Sequence, residues 1–206
     1  MALVFHVKII ILAVAVIASL AACSNSNDGN AVSVEPSEII SIDDSNAEVC
    51  DLLDTAKCLL PFPSNFFTRK SDTTDNGLLV NFSNEAMLTN ASGIVVDSVE
   101  LNRNDGFSPG TVMITQVPNL DMAATGAPRL IDLSDSRQDD SPIVVINAAT
   151  GERQLIWSEL DSNAQNEAEF SLLIRVAKNL QEGQRYIVAL RSMKNAAGET
   201  ISPTEL

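Results

Sequence analysis

Histidine is all but missing from this chain. Its single copy, His6, sits in an apolar amino-terminal segment, so the chain after residue 22 has no imidazole. That excludes a Ser-His-Asp triad, Cys-His catalysis and a His-ligated metal within that part. A G-x-S-x-G elbow and a glycine-rich phosphate loop are also missing. Aromatic residues make up only 4% of the chain, which leaves no evident platform for stacking sugars. Positive charge is scarce: 13 Lys and Arg stand against 27 Asp and Glu, a formal charge of −14. Phosphate binding needs clustered Lys and Arg, so the expectation is no nucleic-acid partner. No apolar run reaches the ~20 residues of a membrane-spanning helix. There is no convincing internal repeat and no long amphipathic helix.

What is present begins with Lys8 and the apolar run Ile9 to Ala18. That run has the length of the hydrophobic stretch of a signal peptide. It is followed by Leu20-Ala21-Ala22-Cys23. This resembles the lipobox of bacterial lipoproteins, in which a small residue precedes an invariant cysteine. The resemblance implies that Cys23 receives a diacylglycerol on sulfur, that residues 1–22 are cleaved as a signal helix, and that the new amine is acylated. The acyl chains, palmitate among them, bury methylenes at about 0.8 kcal/mol each, so attachment to the membrane is lasting. Ser24, where an Asp would favour inner-membrane retention, points to the outer membrane in a Gram-negative cell. Loss of Lys8 with the leader makes the remaining chain one unit more negative. The acidity reads as the solvated surface of an exported protein.

Residues 23–47 are polar, with Ser24-Asn25-Ser26-Asn27-Asp28-Gly29-Asn30 and Asp43-Asp44-Ser45-Asn46. They read as a flexible tether. Cys50 and Cys58 follow, eight residues apart. In an oxidising compartment a disulfide closing this small loop is expected, and a metal site is the weaker alternative. From residue 48 to 206 the pattern is β. Pro61 to Phe67 carries two prolines and three aromatics and reads as an extended, docked segment. Leu78 to Phe82, Thr111 to Val117, Glu169 to Val176 and Arg185 to Arg191 read as strands. Pro142 to Asn147 and Arg153 to Leu160 read as a hairpin around Ala149-Thr150-Gly151-Glu152. Glu85 to Leu88 reads as one helical turn, and Asn195-Ala196-Ala197-Gly198 as a tight turn.

Leu180-Gln181-Glu182-Gly183-Gln184-Arg185-Tyr186 spells L-x-x-G-x-x-Y. This resembles the tyrosine corner of Greek-key sandwiches, in which the hydroxyl bonds backbone a few residues upstream. It assigns Tyr186, the sole tyrosine, a structural role. Residues 140–206 resemble a bacterial immunoglobulin-like domain. The fold class expected is therefore mainly β, an antiparallel immunoglobulin-like Greek-key sandwich. A final strand is expected after Gly198, running back along Arg185 to Arg191. Only Glu199 to Leu206 remain for it, interrupted by Pro203, which suggests the front part of a longer protein. The stretch from Cys50, with Cys58-Leu59-Leu60-Pro61-Phe62-Pro63 and Asn102 to Gly110, resembles the amino-terminal region of large exported bacterial proteins. Some of those continue into a lipase-like α/β-hydrolase domain.

Site chemistry within the chain is sparse. Asp97, Glu100, Asn102, Asn104 and Asp105 set oxygen ligands at near-alternate positions, as a calcium loop does, but Asp105 occupies the place where that loop needs glycine. The simpler reading is a turn whose Asn and Asp side chains bond their own backbone. Asp132, Asp135, Asp139 and Asp140 read as solvated loop carboxylates. No cofactor is expected. The function expected is a non-catalytic, lipid-anchored spacer or interaction module. The alternatives are the amino-terminal segment of an exported hydrolase and a surface protein binding a carbohydrate or protein through Phe62, Phe66, Phe67 and Phe107.

Overall fold

The computed structural model describes residues 4–6, 47–51, 57–164, 166 and 169–202. The described chain is built mainly from strands in antiparallel sheets, with very little helix. One sheet holds three strands: β1 (Val4–His6), β5 (Ile143–Asn147) and β8 (Arg185–Leu190), in the order β1-β8-β5. A second holds β4 (Met113–Gln116), β6 (Ile156–Leu160) and β7 (Ser171–Val176), in the order β4-β7-β6. A two-stranded ribbon pairs β2 (Thr68–Lys70) with β3 (Leu78–Val80). All pairings are antiparallel except β1 with β8, which is parallel.

Burial follows the period of a pleated strand. In β4, Met113 and Thr115 are buried while Ile114 and Gln116 are half-exposed. In β7 the buried positions are Leu172 and Ile174. In β8 they are Tyr186, Val188 and Leu190. These side chains meet Ile143, Val145 and Ile156 in one hydrophobic cluster to which both three-stranded sheets contribute. The cluster and the apolar side chains packed on it come from residues between Leu59 and Ile201.

The chain between β5 and β6 departs from the hairpin expected there. The turn itself forms: the Asn147 side chain accepts from Ala149 N at 2.9 Å and from Thr150 N at 3.2 Å, and Gly151 takes a positive φ of 73°. Asn147 N donates to Glu152 O and Gln154 N to Val145 O, 2.9 and 2.8 Å respectively. The ladder then stops. Ala177 N donates to Leu155 O, and β6 pairs along its length with β7 in the other sheet. Alternation around Trp157 marks a strand with a buried face, but it does not say which neighbour takes the backbone hydrogen bonds. The Ser136 hydroxyl, fully buried, helps fix the switch by accepting from Ile156 N at 3.2 Å.

Two further expectations differ. Val4–His6, placed by sequence in a signal helix, forms the strand β1; an extended segment can satisfy β8 backbone groups there. The rest of residues 1–22 lies outside the described residues. Of the segment after Gly198, the described residues 199–202 do not run along β8. Lys194 bridges Thr200, and Ile201 N donates to Met193 O at 2.8 Å, so the chain folds back on residues 193–195 instead. The Asn195 side chain nucleates this turn by accepting from Ala197 N and Glu199 N, both at 3.0 Å.

Candidate functional site

Cys23 and the polar stretch up to Asn46 lie outside the described residues. Where description resumes, Cys50 and Cys58 are joined in a disulfide, with Cα atoms 4.1 Å apart. Cys50 is fully buried. The next residue, Asp51, accepts a hydrogen bond from the buried Ser64 hydroxyl at 2.7 Å. The staple therefore fixes the start of the domain to the segment Pro61 to Phe67. That segment docks on β4: Phe62 N donates to Ile114 O at 2.8 Å and Ile114 N returns a bond to Phe62 O at 2.6 Å. Ser64 then caps a single 3-10 turn, Asn65–Phe67, by accepting from Phe66 N.

The phenylalanines of this region form one cluster. Phe62 meets Phe107 edge-on with centroids 5.5 Å apart, and Phe67 lies 5.2 Å from Phe82. Phe67 and Phe107 are buried, and Phe62 is packed against the core. Phe66 is the outlier, 36% exposed. Of the four aromatics named as a binding surface, two are thus buried, Phe62 is half-buried and Phe66 is exposed. An open groove beside them is lined by Phe62, Phe82, Leu101 and Asn104 among others.

The five candidate calcium ligands turn to separate tasks. Asp97 accepts from Val99 N at 3.0 Å. Glu100 pairs with Arg103 on the surface at 2.8 Å. Asn102 spans two segments: its carbonyl accepts from Phe82 N at 2.7 Å and its amide donates to Phe82 O at 3.0 Å and to the Ser98 hydroxyl at 3.2 Å. Asn104 donates to Leu101 O at 2.8 Å. The Asp105 carbonyl accepts from the Asn76 side chain. Among the described residues no group of three His, Cys, Asp or Glu gathers where a metal could sit. Asp132 is paired with Arg129 at 2.6 Å, and Asp135, Asp139 and Asp140 are exposed.

The corner motif is well formed. Leu180 and Tyr186 are buried, Gly183 has a φ of 68°, and Gln181 N donates to the Tyr186 hydroxyl at 3.0 Å. Sequence reasoning missed a separate surface feature. Residues 88–96 form a small hairpin in which Val96 N donates to Leu88 O and Thr89 bridges Val95. It holds Leu88 and Ile94 outward, 69% and 64% exposed, with Val95, Val96, Val99 and Leu101 also on the surface. The signal was the β-branched run Ile94-Val95-Val96 after the turn Asn90 to Gly93. Nothing in that run says that its face stays uncovered.

The arrangement is thus a stapled aromatic turn, a hydrogen-bonded loop and a corner, all built from side chains that hold backbone in place. Comparison with protein-family models, with curated proteins and with solved structures gave no match.

Proposed function

We propose that this chain is a lipid-anchored protein of the bacterial cell envelope, outer membrane in a Gram-negative cell, acting as a non-catalytic spacer or interaction module at the front of a longer exported protein. The observation that carries the reading is Leu20-Ala21-Ala22-Cys23 directly after the apolar run Ile9 to Ala18. Cys23 is the lipidated residue, residues 23–47 are the tether, and the β-rich part from residue 48 is the module. A disulfide between Cys50 and Cys58 is in keeping with an oxidising compartment. Two sheets around a common core, with Tyr186 bonded at its corner, support an immunoglobulin-like Greek-key sandwich for the carboxyl-terminal half. The non-catalytic reading rests on the lack of histidine after His6.

The test is metabolic labelling with a palmitate analogue in a bacterial host. The full chain takes up label and loses its leader; Cys23→Ser takes up none and stays on the precursor pathway. Labelling that survives Cys23→Ser overturns the reading.

A second reading, the amino-terminal segment of an exported lipase-like hydrolase, draws on the likeness of Cys58 to Pro63 and Asn102 to Gly110 to such proteins. The two segments meet at the Phe62–Phe107 contact. On this reading the catalytic serine and histidine are encoded after Leu206. Sequencing the downstream DNA decides it: an open frame with G-x-S-x-G and a later histidine supports it, and a stop codon removes it.

A further inference from the structure

Asn76-Gly77 is the only Asn-Gly pair in the chain. Such a pair is reactive in water. The backbone nitrogen of the second residue, once deprotonated, can close a five-membered ring on the side-chain carbonyl carbon of the asparagine. A side chain on the second residue hinders that closure, and glycine has none. The structure places the pair in the turn between β2 and β3 and bonds each reacting atom. Gly77 N, the nucleophile, donates to Thr74 O at 3.1 Å. Asn76 Nδ2, the leaving group, donates to Asp105 O. Asn76 Oδ1 accepts from Leu78 N at 3.0 Å.

Two further bonds hold the turn: Ser71 N donates to Gly77 O at 2.9 Å and the Thr74 hydroxyl to Leu78 O at 2.8 Å. Gly77 is exposed, so solvent base and water reach the pair. The proton that must leave is the one donated to Thr74 O. Its removal waits for that bond to open, as amide exchange does. The Asn76 amide also reaches across the fold, to a carbonyl 29 residues along the chain. It ties the turn to the loop that holds Asn104, whose carbonyl accepts from Val80 N at 2.8 Å, and the buried Phe107. A carboxylate at residue 76 still accepts from Leu78 N. It has no proton to give Asp105 O, so two acceptor oxygens would face each other.

We propose that Asn76 is a spontaneous deamidation site gated by this turn: it is unreactive while Gly77 N is bonded, reacts when the turn opens, and once converted no longer closes on Asp105 O. Water is the only co-reactant. The bond from Gly77 N to Asn76 Cγ forms as the Cγ–Nδ2 bond breaks. Ammonia leaves, carrying the proton equivalent to the one taken from Gly77 N. Water then opens the cyclic imide. Attack at the side-chain carbonyl returns aspartate; attack at the main-chain carbonyl gives isoaspartate, with the backbone routed through the former side chain. Loss of the amide donor makes the change one-way, because neither product can restore the bond that kept the turn shut. The gate is independent of the lipid anchor.

The experiment incubates the full chain at mildly alkaline pH, native and in urea, beside a synthetic peptide of residues 71–80. Trypsin cuts after Lys70 and Arg103, and fragmentation of the 71–103 peptide by mass spectrometry reads conversion of amide to acid at residue 76. The free peptide and the urea-unfolded chain should convert at similar rates, and the native chain at least about tenfold more slowly. Thr74→Ala removes the bond to Leu78 O and touches no reacting atom. It should speed both hydrogen exchange at Gly77 N and deamidation at Asn76. Asn76→Asp, which stands in for the product, should raise hydrogen exchange at residues 104–107. Equal rates in the native chain and the free peptide overturn the gate. So does a Thr74→Ala chain whose Gly77 amide exchanges faster while deamidation does not. An unfolded chain that gains no acid at residue 76 overturns the site itself, and unchanged exchange at residues 104–107 in Asn76→Asp overturns the one-way opening.

Discussion

The backbone amide of Gln181 donates to the hydroxyl of Tyr186 across 3.0 Å, five residues along the chain. The bond closes a loop whose bend is made at Gly183, where a φ of 68° lies in the region that glycine enters without a Cβ penalty. The Tyr186 ring is 1% exposed and sits in the core beside Val188 and Leu190, so the hydroxyl ties the loop to the hydrophobic cluster.

Tyr186→Phe removes that tie and keeps the ring. Gln181 is itself exposed, so its amide can regain water and the loss is that of one net hydrogen bond, about 1 kcal/mol. Urea denaturation should show a lower midpoint with an unchanged slope. Tyr186→Ala adds a large cavity and should cost roughly 3–5 kcal/mol. Near-equal effects of the two changes would mean that the ring contributes little.

The disulfide makes a second, separable prediction. Closing a loop between cysteines eight residues apart restricts the unfolded chain by about 2–3 kcal/mol. The double change Cys50→Ala and Cys58→Ala should lower stability by that amount, read by the same denaturation. Reduction of the unaltered protein should match it. Hydrogen exchange should then rise first around Asp51 and Ser64, whose 2.7 Å bond lies next to the staple.

Local features were legible where a residue type has one physical use. Asn195 to Gly198 spells a turn because Asn bonds backbone two residues on and Gly takes positive φ, and the structure has both. The strands around Met113, Ile143, Leu172 and Tyr186 were legible because β-branched and apolar residues sit between turn signals. The partner of each strand was not. Trp157 sits on a strand that pairs with β7, because hydrogen-bond neighbours are chosen by the whole core and not by local alternation. The same holds for exposure: Ile94-Val95-Val96 is an apolar, β-branched run, and all three residues are exposed. Spacing lists oxygens along a chain but not their partners: Asn102 accepts from Phe82 N and Asp97 from Val99 N.

Ser136 offers a test of the switch between sheets. Its hydroxyl, fully buried, donates to Leu133 O at 2.6 Å and accepts from Ile156 N at 3.2 Å. Ser136→Ala leaves the buried Ile156 amide without that acceptor, which costs about 1–3 kcal/mol. The surface pair Arg175–Glu159, at 2.6 Å, is a useful contrast. Both partners are more than a third exposed, so Arg175→Ala should cost less than about 1 kcal/mol. Thermal unfolding of the two variants side by side should rank Ser136→Ala as the more damaging. The reverse order would mean that β6 is positioned by its cross-strand pairs rather than by the loop before it.

Asn102 separates a structural loop from a metal loop in a single substitution. Its side-chain carbonyl accepts from Phe82 N at 2.7 Å while its amide donates to Phe82 O at 3.0 Å, so it imitates a strand neighbour. Aspartate at this position keeps the acceptor and loses the donor, and it places a carboxylate near Phe82 O and the Ser98 hydroxyl. If the residue works as the hydrogen bonds show, Asn102→Asp lowers stability by about 1–3 kcal/mol. Millimolar calcium then restores none of it. If the loop binds calcium, the added charge strengthens the site, and calcium raises the melting temperature of the variant more than that of the parent. Differential scanning fluorimetry with calcium and with a chelator reads both outcomes. A calcium-dependent rise in Asn102→Asp would sink the structural assignment of this loop.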